Sequence, residues 1–140
     1  MRLLIAEDDH AFYAERIRCA CPELQLVTGA QAEALRAVAC ECELWLGQPD
    51  LLAPLLRDGL RPQWLQSTWA GITPLLAAGL PCDYRLTRAV GIFGQVMAEY
   101  VLGHMLAHER RLFARLAAQV EQRWDHGLPR SLRGRRVLVV

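Results

Sequence analysis

An α/β fold built on a five-stranded, doubly wound parallel sheet is what the sequence predicts, and three observations predict it. Short apolar runs alternate with short helix-like stretches over residues 1–93, the spacing that βαβ units require. The apolar runs are bounded by acids, glycine or proline, as strands buried on both faces are. The chain has 140 residues, 53% hydrophobic and 22% charged, enough apolar mass for one core and too little chain for two.

Each element has its own reason. Arg2–Ala6 is an apolar run leading into acids, which suits a buried strand. Residues 12–20 follow with helical spacing, and Pro22 closes them. Residues 24–28 read as a second strand, bounded by Gly29, and 30–39 as an alanine-rich helix. Residues 43–46 form a third strand, ended by Gly47-Gln48-Pro49; 51–57 make a short helix that stops at Gly59. Trp64–Ser67 is a fourth strand, followed by a turn through Gly71 and a helical turn at 74–78. Residues 84–87 make the fifth. The expected strand order is flavodoxin-like, and ligands of such sheets sit beyond the carboxyl ends of the strands. The loops after Ala6, Leu46 and Ser67 are therefore the ones to watch.

The last third behaves differently. From Gln95 to Trp124 there is no proline and one glycine, Gly103. Apolar residues at Met97, Tyr100, Val101, Met105, Leu112, Phe113, Leu116 and Val120 approximate a helical period. One continuous helix is expected there, about 45 Å long at 1.5 Å per residue, with part of it projecting. A basic linker follows Gly127 and Pro129, and the chain stops on Val137-Leu138-Val139-Val140, which reads as a cut parallel strand. The expected division is thus 1–93 for the sheet domain, 94–126 for the long helix and 127–140 for the linker and strand.

Charge and composition exclude several classes. Sixteen basic residues against fifteen acidic ones leave a net charge of +1, no field for nucleic acid or a membrane surface. No apolar run approaches the roughly 20 residues of a spanning helix. Acids stand where a signal peptide would carry its apolar stretch, so a cytoplasmic location is expected. The five cysteines (Cys19, Cys21, Cys40, Cys42 and Cys82) then read as reduced thiols. Their Cys-x-Cys spacing is tighter than zinc loops use, and no metal is expected. His104 and His108 sit one turn apart without an adjacent Glu, which reads as a solvated or interdomain face.

Glu7-Asp8-Asp9, directly after the first strand, resembles the magnesium-binding start of response-regulator receiver domains. The rest of that pattern is missing. Leu46-Gly47 occupies the place of the phosphoacceptor Asp, and the chain contains no lysine. Asp8 and Asp9 are instead expected to cap the first helix.

A second resemblance covers the whole chain. Leu65-Gln66-Ser67-Thr68-Trp69-Ala70-Gly71-Ile72 is similar to the strand-and-turn signature of D-isomer-specific 2-hydroxyacid dehydrogenases. Leu86-Thr87-Arg88, leading to Gly91-Ile92-Phe93-Gly94 and then Met97-Ala98-Glu99-Tyr100-Val101-Leu102-Gly103, resembles their entry into a long interdomain helix. Residues 132–140 resemble the first strand of their dinucleotide-binding domain. The glyoxylate/hydroxypyruvate reductase branch is the nearest in flavour.

The resemblance implies the substrate-binding part of a two-domain enzyme that passes hydride between NAD or NADP and a small 2-keto acid. The catalytic His/Glu pair, the carboxylate Arg and the Gly-x-Gly-x-x-Gly loop belong to the other domain. This chain by itself is then expected to be inactive, with no catalytic residue of its own and no bound cofactor. Its implied substrate residues are Trp45, Leu46 and Gly47 at the third strand's end and Trp69, Ala70 and Gly71 in the turn. Ala70 and Gly71 would give backbone N–H groups to the substrate carboxylate. Met97 matches a position near the nicotinamide. Packing is the competing role for both tryptophans, and Thr73 stands where many family members carry Asp. The implied partners are a 2-keto or 2-hydroxy acid, the nicotinamide-binding domain and a second copy of the chain. A degenerate receiver-like module or a stand-alone small-acid-binding domain are the alternatives.

Overall fold

The computed structural model describes residues 1–139 and divides into two compact units, Met1–Val90 and Gly91–Val140. The first is a five-stranded parallel sheet, β1 (Arg2–Ala6), β2 (Gln25–Gly29), β3 (Leu44–Gly47), β4 (Trp64–Ser67) and β5 (Arg85–Thr87), in the order β2-β1-β3-β4-β5. This is the flavodoxin-like order. Helices α1 (His10–Ala20), α2 (Ala32–Ala39) and α3 (Pro49–Arg57) make the crossovers, and a 3₁₀ turn, Thr73–Leu76, precedes β5.

The period of two along β1 builds both faces of the core. Leu4 and Ala6 join Leu35 and Ala39 of α2, Leu52, Leu55 and Leu56 of α3, Trp45, Leu65 and Leu75. Leu3 and Ile5 point the other way, onto Ala14 of α1 with Tyr13, Ile17, Leu26 and Leu46 around them. β1 therefore has no polar face, which is why it reads as an unbroken apolar run.

Several element ends differ from the sequence expectation by a residue or two, within the fraying of helix ends. α1 begins at His10, so Asp9 does occupy its N-cap, yet no side-chain cap hydrogen bond forms. The expected capping by Asp8 and Asp9 is to that extent corrected. α3 begins earlier than expected, at Pro49, whose ring pre-sets φ for a first helical residue.

The second unit holds the larger correction. The expected single long helix is two, α4 (Gly94–Glu109) and α5 (Leu112–Val120). Between them Arg111 adopts a left-handed conformation with φ 57°. A second left-handed residue, Gln122 (φ 53°), ends α5 and turns the chain back. The returning segment is held by polar contacts. Asp125 accepts from the Gly127 N–H at 2.9 Å and from the Arg111 guanidinium at 3.3 Å. Arg115 donates to the Gly127 carbonyl at 3.1 Å, and the Arg130 N–H to the Glu109 carbonyl at 2.9 Å. These contacts compensate the left-handed backbone, which a bulky residue adopts only at a cost. The expected strand at 137–140 is absent over its described part: Val137–Val139 are exposed and irregular, and Val140 lies outside the described residues.

Candidate functional site

The carboxyl ends of β1, β3 and β4 lie side by side, with Ala6 opposite Gly47 and Gly47 opposite Ser67. The ladder runs one step past the strands. Glu7 N–H donates to the Gly29 carbonyl (3.1 Å), Gln48 N–H to that of Ala6 (3.0 Å) and Thr68 N–H to that of Gly47 (3.0 Å). Gly47 makes this lacing possible, since a Cβ there would stand 2.1 Å from the Ala6 carbonyl oxygen. Only glycine permits that approach.

The turn after β4 is fixed from several directions. The Ser67 hydroxyl, fully buried, accepts from the Trp69 N–H at 3.1 Å and donates to the Trp69 carbonyl at 3.0 Å. The Ala89 N–H also reaches that carbonyl, at 3.3 Å. Arg88 donates through Nη1 to the Ala70 carbonyl at 2.7 Å. Thr68 donates its hydroxyl to Glu7 Oε1, and Glu7 Oε2 accepts from the Asp8 N–H at 3.1 Å. What remains is a pair of donors. Among the described residues the Ala70 and Gly71 N–H groups have no acceptor. Gly71 is exposed, and a Cβ there would meet nothing within 4 Å. Two neighbouring free N–H groups at a strand's carboxyl end, beside an arginine, suit a carboxylate.

The residues singled out in the sequence separate into groups. Leu46, Gly47, Trp69, Ala70 and Gly71 come together at this edge of the sheet. Leu46 is half-buried and Trp69 is exposed. Trp45 is 1% exposed, enclosed by the core, and its indole N–H is spent on the Cys42 carbonyl at 3.1 Å. Of its two roles, packing is the one its side chain performs. Thr73 is exposed and opens the 3₁₀ turn. Met97 belongs to the second unit, exposed on the first turn of α4. His104 stays on its own helix, its Nδ1 2.9 Å from the Tyr100 carbonyl and its ring 4.2 Å from that of Tyr100. Cys42 is buried, which pushes its thiol pKa up. Tyr13, close to the site, is raised by burial and then by the charges of Glu7 and Asp9. Asp125 is held below the ordinary aspartate range, first by the Gly127 N–H and then by Arg111.

Glu7, Thr68 and Arg88 are the site residues that sequence reasoning passed over. Glu7 was visible only as part of an acidic triplet, and its partner lies 61 residues away. Arg88 lies within a recognised stretch but carried no assigned role. No linear pattern announces such contacts.

The sheet order defines the class, a flavodoxin-like α/β domain with a donor-lined turn at its carboxyl edge. No protein-family profile matches the sequence, and no curated protein does. Solved structures do match. A D-isomer-specific 2-hydroxyacid dehydrogenase family protein from Aeromonas salmonicida subsp. salmonicida A449 superposes with a TM-score of 0.84 at 32% identity, covering 94% of this chain and 43% of that one. A probable 2-hydroxyacid dehydrogenase from Rhizobium etli CFN 42, solved with NADP, HEPES and L(+)-tartaric acid, matches at 0.66 and 22% identity, over 91% of this chain and 41% of that one. A D-lactate dehydrogenase from a Sporolactobacillus species matches at 0.57 and 19% identity, over 96% of this chain and 44% of that one, and shows the shared fold. The chain is related to the D-isomer-specific 2-hydroxyacid dehydrogenases, and it spans less than half the length of the relatives it matches.

Proposed function

We propose that this chain is the substrate-binding part of an NAD- or NADP-dependent oxidoreductase that reduces small 2-keto acids of the glyoxylate or hydroxypyruvate type to D-2-hydroxy acids. The observation that carries the reading is the pair of unspent N–H groups at Ala70 and Gly71 beside Arg88. Leu46 and Gly47 supply the wall on the β3 side, and Trp69 is exposed on the same turn. Trp45 acts only by supporting β3 from the core. A dinucleotide needs a glycine-rich loop between a strand and a helix. The sequence contains no Gly-x-Gly-x-x-Gly run, so these residues do not fit that group on their own. The NADP of the Rhizobium structure supports the nicotinamide part of the proposal, and Met97 is the residue of this chain assigned toward it. The chain by itself is expected not to turn over, since acid–base groups and hydride donor are assigned elsewhere, and to hold the acid more weakly than the micromolar affinity a stand-alone binding domain would show. A second copy of the chain is the further partner in this reading, and a cytoplasmic location goes with it.

The test is binding of oxamate, a 2-keto acid analogue, to the isotope-labelled chain by amide NMR. The Ala70 and Gly71 resonances are expected to move first and furthest. Gly71→Val should leave the fold intact, because a Cβ there meets nothing within 4 Å, and should weaken oxamate by about tenfold, on the order of 1.4 kcal/mol. Shifts confined to other residues would place the acid elsewhere.

A further inference from the structure

We propose that Glu7 is a positioning residue for the carboxylate turn. It holds Thr68, and through Thr68 the donors of Ala70 and Gly71, in the orientation that receives a 2-keto acid; this rests on the function proposed above. Glu7 is buried, 7% exposed, at the end of β1. A buried carboxylate is costly unless both oxygens are hydrogen-bonded. Both are: one accepts from Thr68 Oγ1, the other from the Asp8 N–H.

The span of the contact shows what it does. β3 lies between β1 and β4 in the sheet. Adjacent strands are about 4.8 Å apart, so β1 and β4 are separated by roughly 9–10 Å. A glutamate and a threonine reaching toward each other, with a hydrogen bond between them, close about that distance. The link therefore spans the width of β3, from the end of β1 to the end of β4. Among the described residues it is the only side-chain hydrogen bond that joins the end of β1 to the turn. Ser67 and Arg88 fix Trp69 and Ala70 locally, from β4 and from beyond β5. Glu7 is the one that refers the turn to the central strand. Donor geometry matters because hydrogen bonds weaken steeply with angle and with a few tenths of an ångström.

Thr68→Val removes the hydroxyl at nearly constant shape, and Glu7→Gln keeps an acceptor for it. Two readouts are taken on the labelled chain: hydrogen exchange of the Thr68 and Trp69 amides without ligand, and affinity for oxamate. Thr68→Val and Glu7→Ala are expected to speed that exchange at least tenfold and weaken oxamate at least fivefold. Glu7→Gln should stay within threefold of the unmutated chain on both, and Thr68→Ser should restore both. A lower melting midpoint with unchanged exchange and unchanged affinity would reduce Glu7 to a structural group and overturn the proposal. Faster exchange with unchanged affinity overturns it as well. If the unmutated chain takes up no oxamate, the 2-keto acid reading falls, and the exchange arm alone still decides whether Glu7 anchors the turn.

Discussion

Gly47 shows how one residue can serve fold and site together. Its place after the third strand marked it in the sequence as a wall of the ligand crevice. The structure adds a reason that no local pattern carries: the missing Cβ lets β3 close on the Ala6 carbonyl and continue the ladder to Gln48 and Thr68. Gly47→Ala is accordingly expected to cost about 2–3 kcal/mol, the upper range for overpacking, because the obstructing atom is backbone and cannot swing away. Urea denaturation should show the midpoint fall with an unchanged slope. Gly71→Ala in the same assay should stay near the unmutated value, since that Cβ enters open space. Equal losses at the two glycines would contradict this division of labour. Glu7 was less legible. As part of an acidic triplet it suggested only a metal, the cap falling to Asp8 and Asp9, and the strand order, which brings β1 within two strands of β4, reveals the partner.

At the scale of elements, the five strands were legible because a parallel sheet demands apolar runs and its crossovers demand the spacing between them. The break between α4 and α5 was not. No proline or glycine marks it, and every residue from His108 to Leu112 is compatible with helix. The break is stabilised by residues further along the chain: Asp125 on Arg111, and Glu109 receiving Arg130 and Arg135. Comparing two substitutions at Arg111 isolates the backbone from those pairs. Arg111→Gly and Arg111→Ala both lose the contact with Asp125 and differ only in what φ 57° costs. The glycine variant is expected to be the more stable by about 1 kcal/mol, measured by exchange of the α5 amides. In one continuous helix the order would reverse by a similar amount, since glycine is worse than alanine in a helix interior by about 1 kcal/mol.

At the scale of the molecule, the apolar surface is unevenly spent. The first unit encloses most of its large aliphatic side chains on both faces of the sheet, whereas Leu102, Leu106, Leu112, Phe113 and Leu116 of the second unit are all about half exposed or more. Exposed apolar side chains in this number mark a candidate interaction surface. The proposed occupant is a second copy of the chain, meeting it about a two-fold axis so that the same residues serve on both sides. Burying even about 600 Å² would return roughly 15 kcal/mol at about 25 cal/mol per Å², against about 4–15 kcal/mol for lost rigid-body freedom. The difference runs from about zero to about 11 kcal/mol before side-chain ordering is counted, so the dimer should be sensitive to single contacts. Light scattering at micromolar concentration is expected to report about twice the 15.8 kDa chain mass. Leu112→Glu with Leu116→Glu, at positions already exposed and therefore harmless to the fold, should shift the population toward monomer by placing unpaired charges in the interface. A monomer for the unmutated chain at that concentration would assign the surface to the nicotinamide domain instead of a second copy.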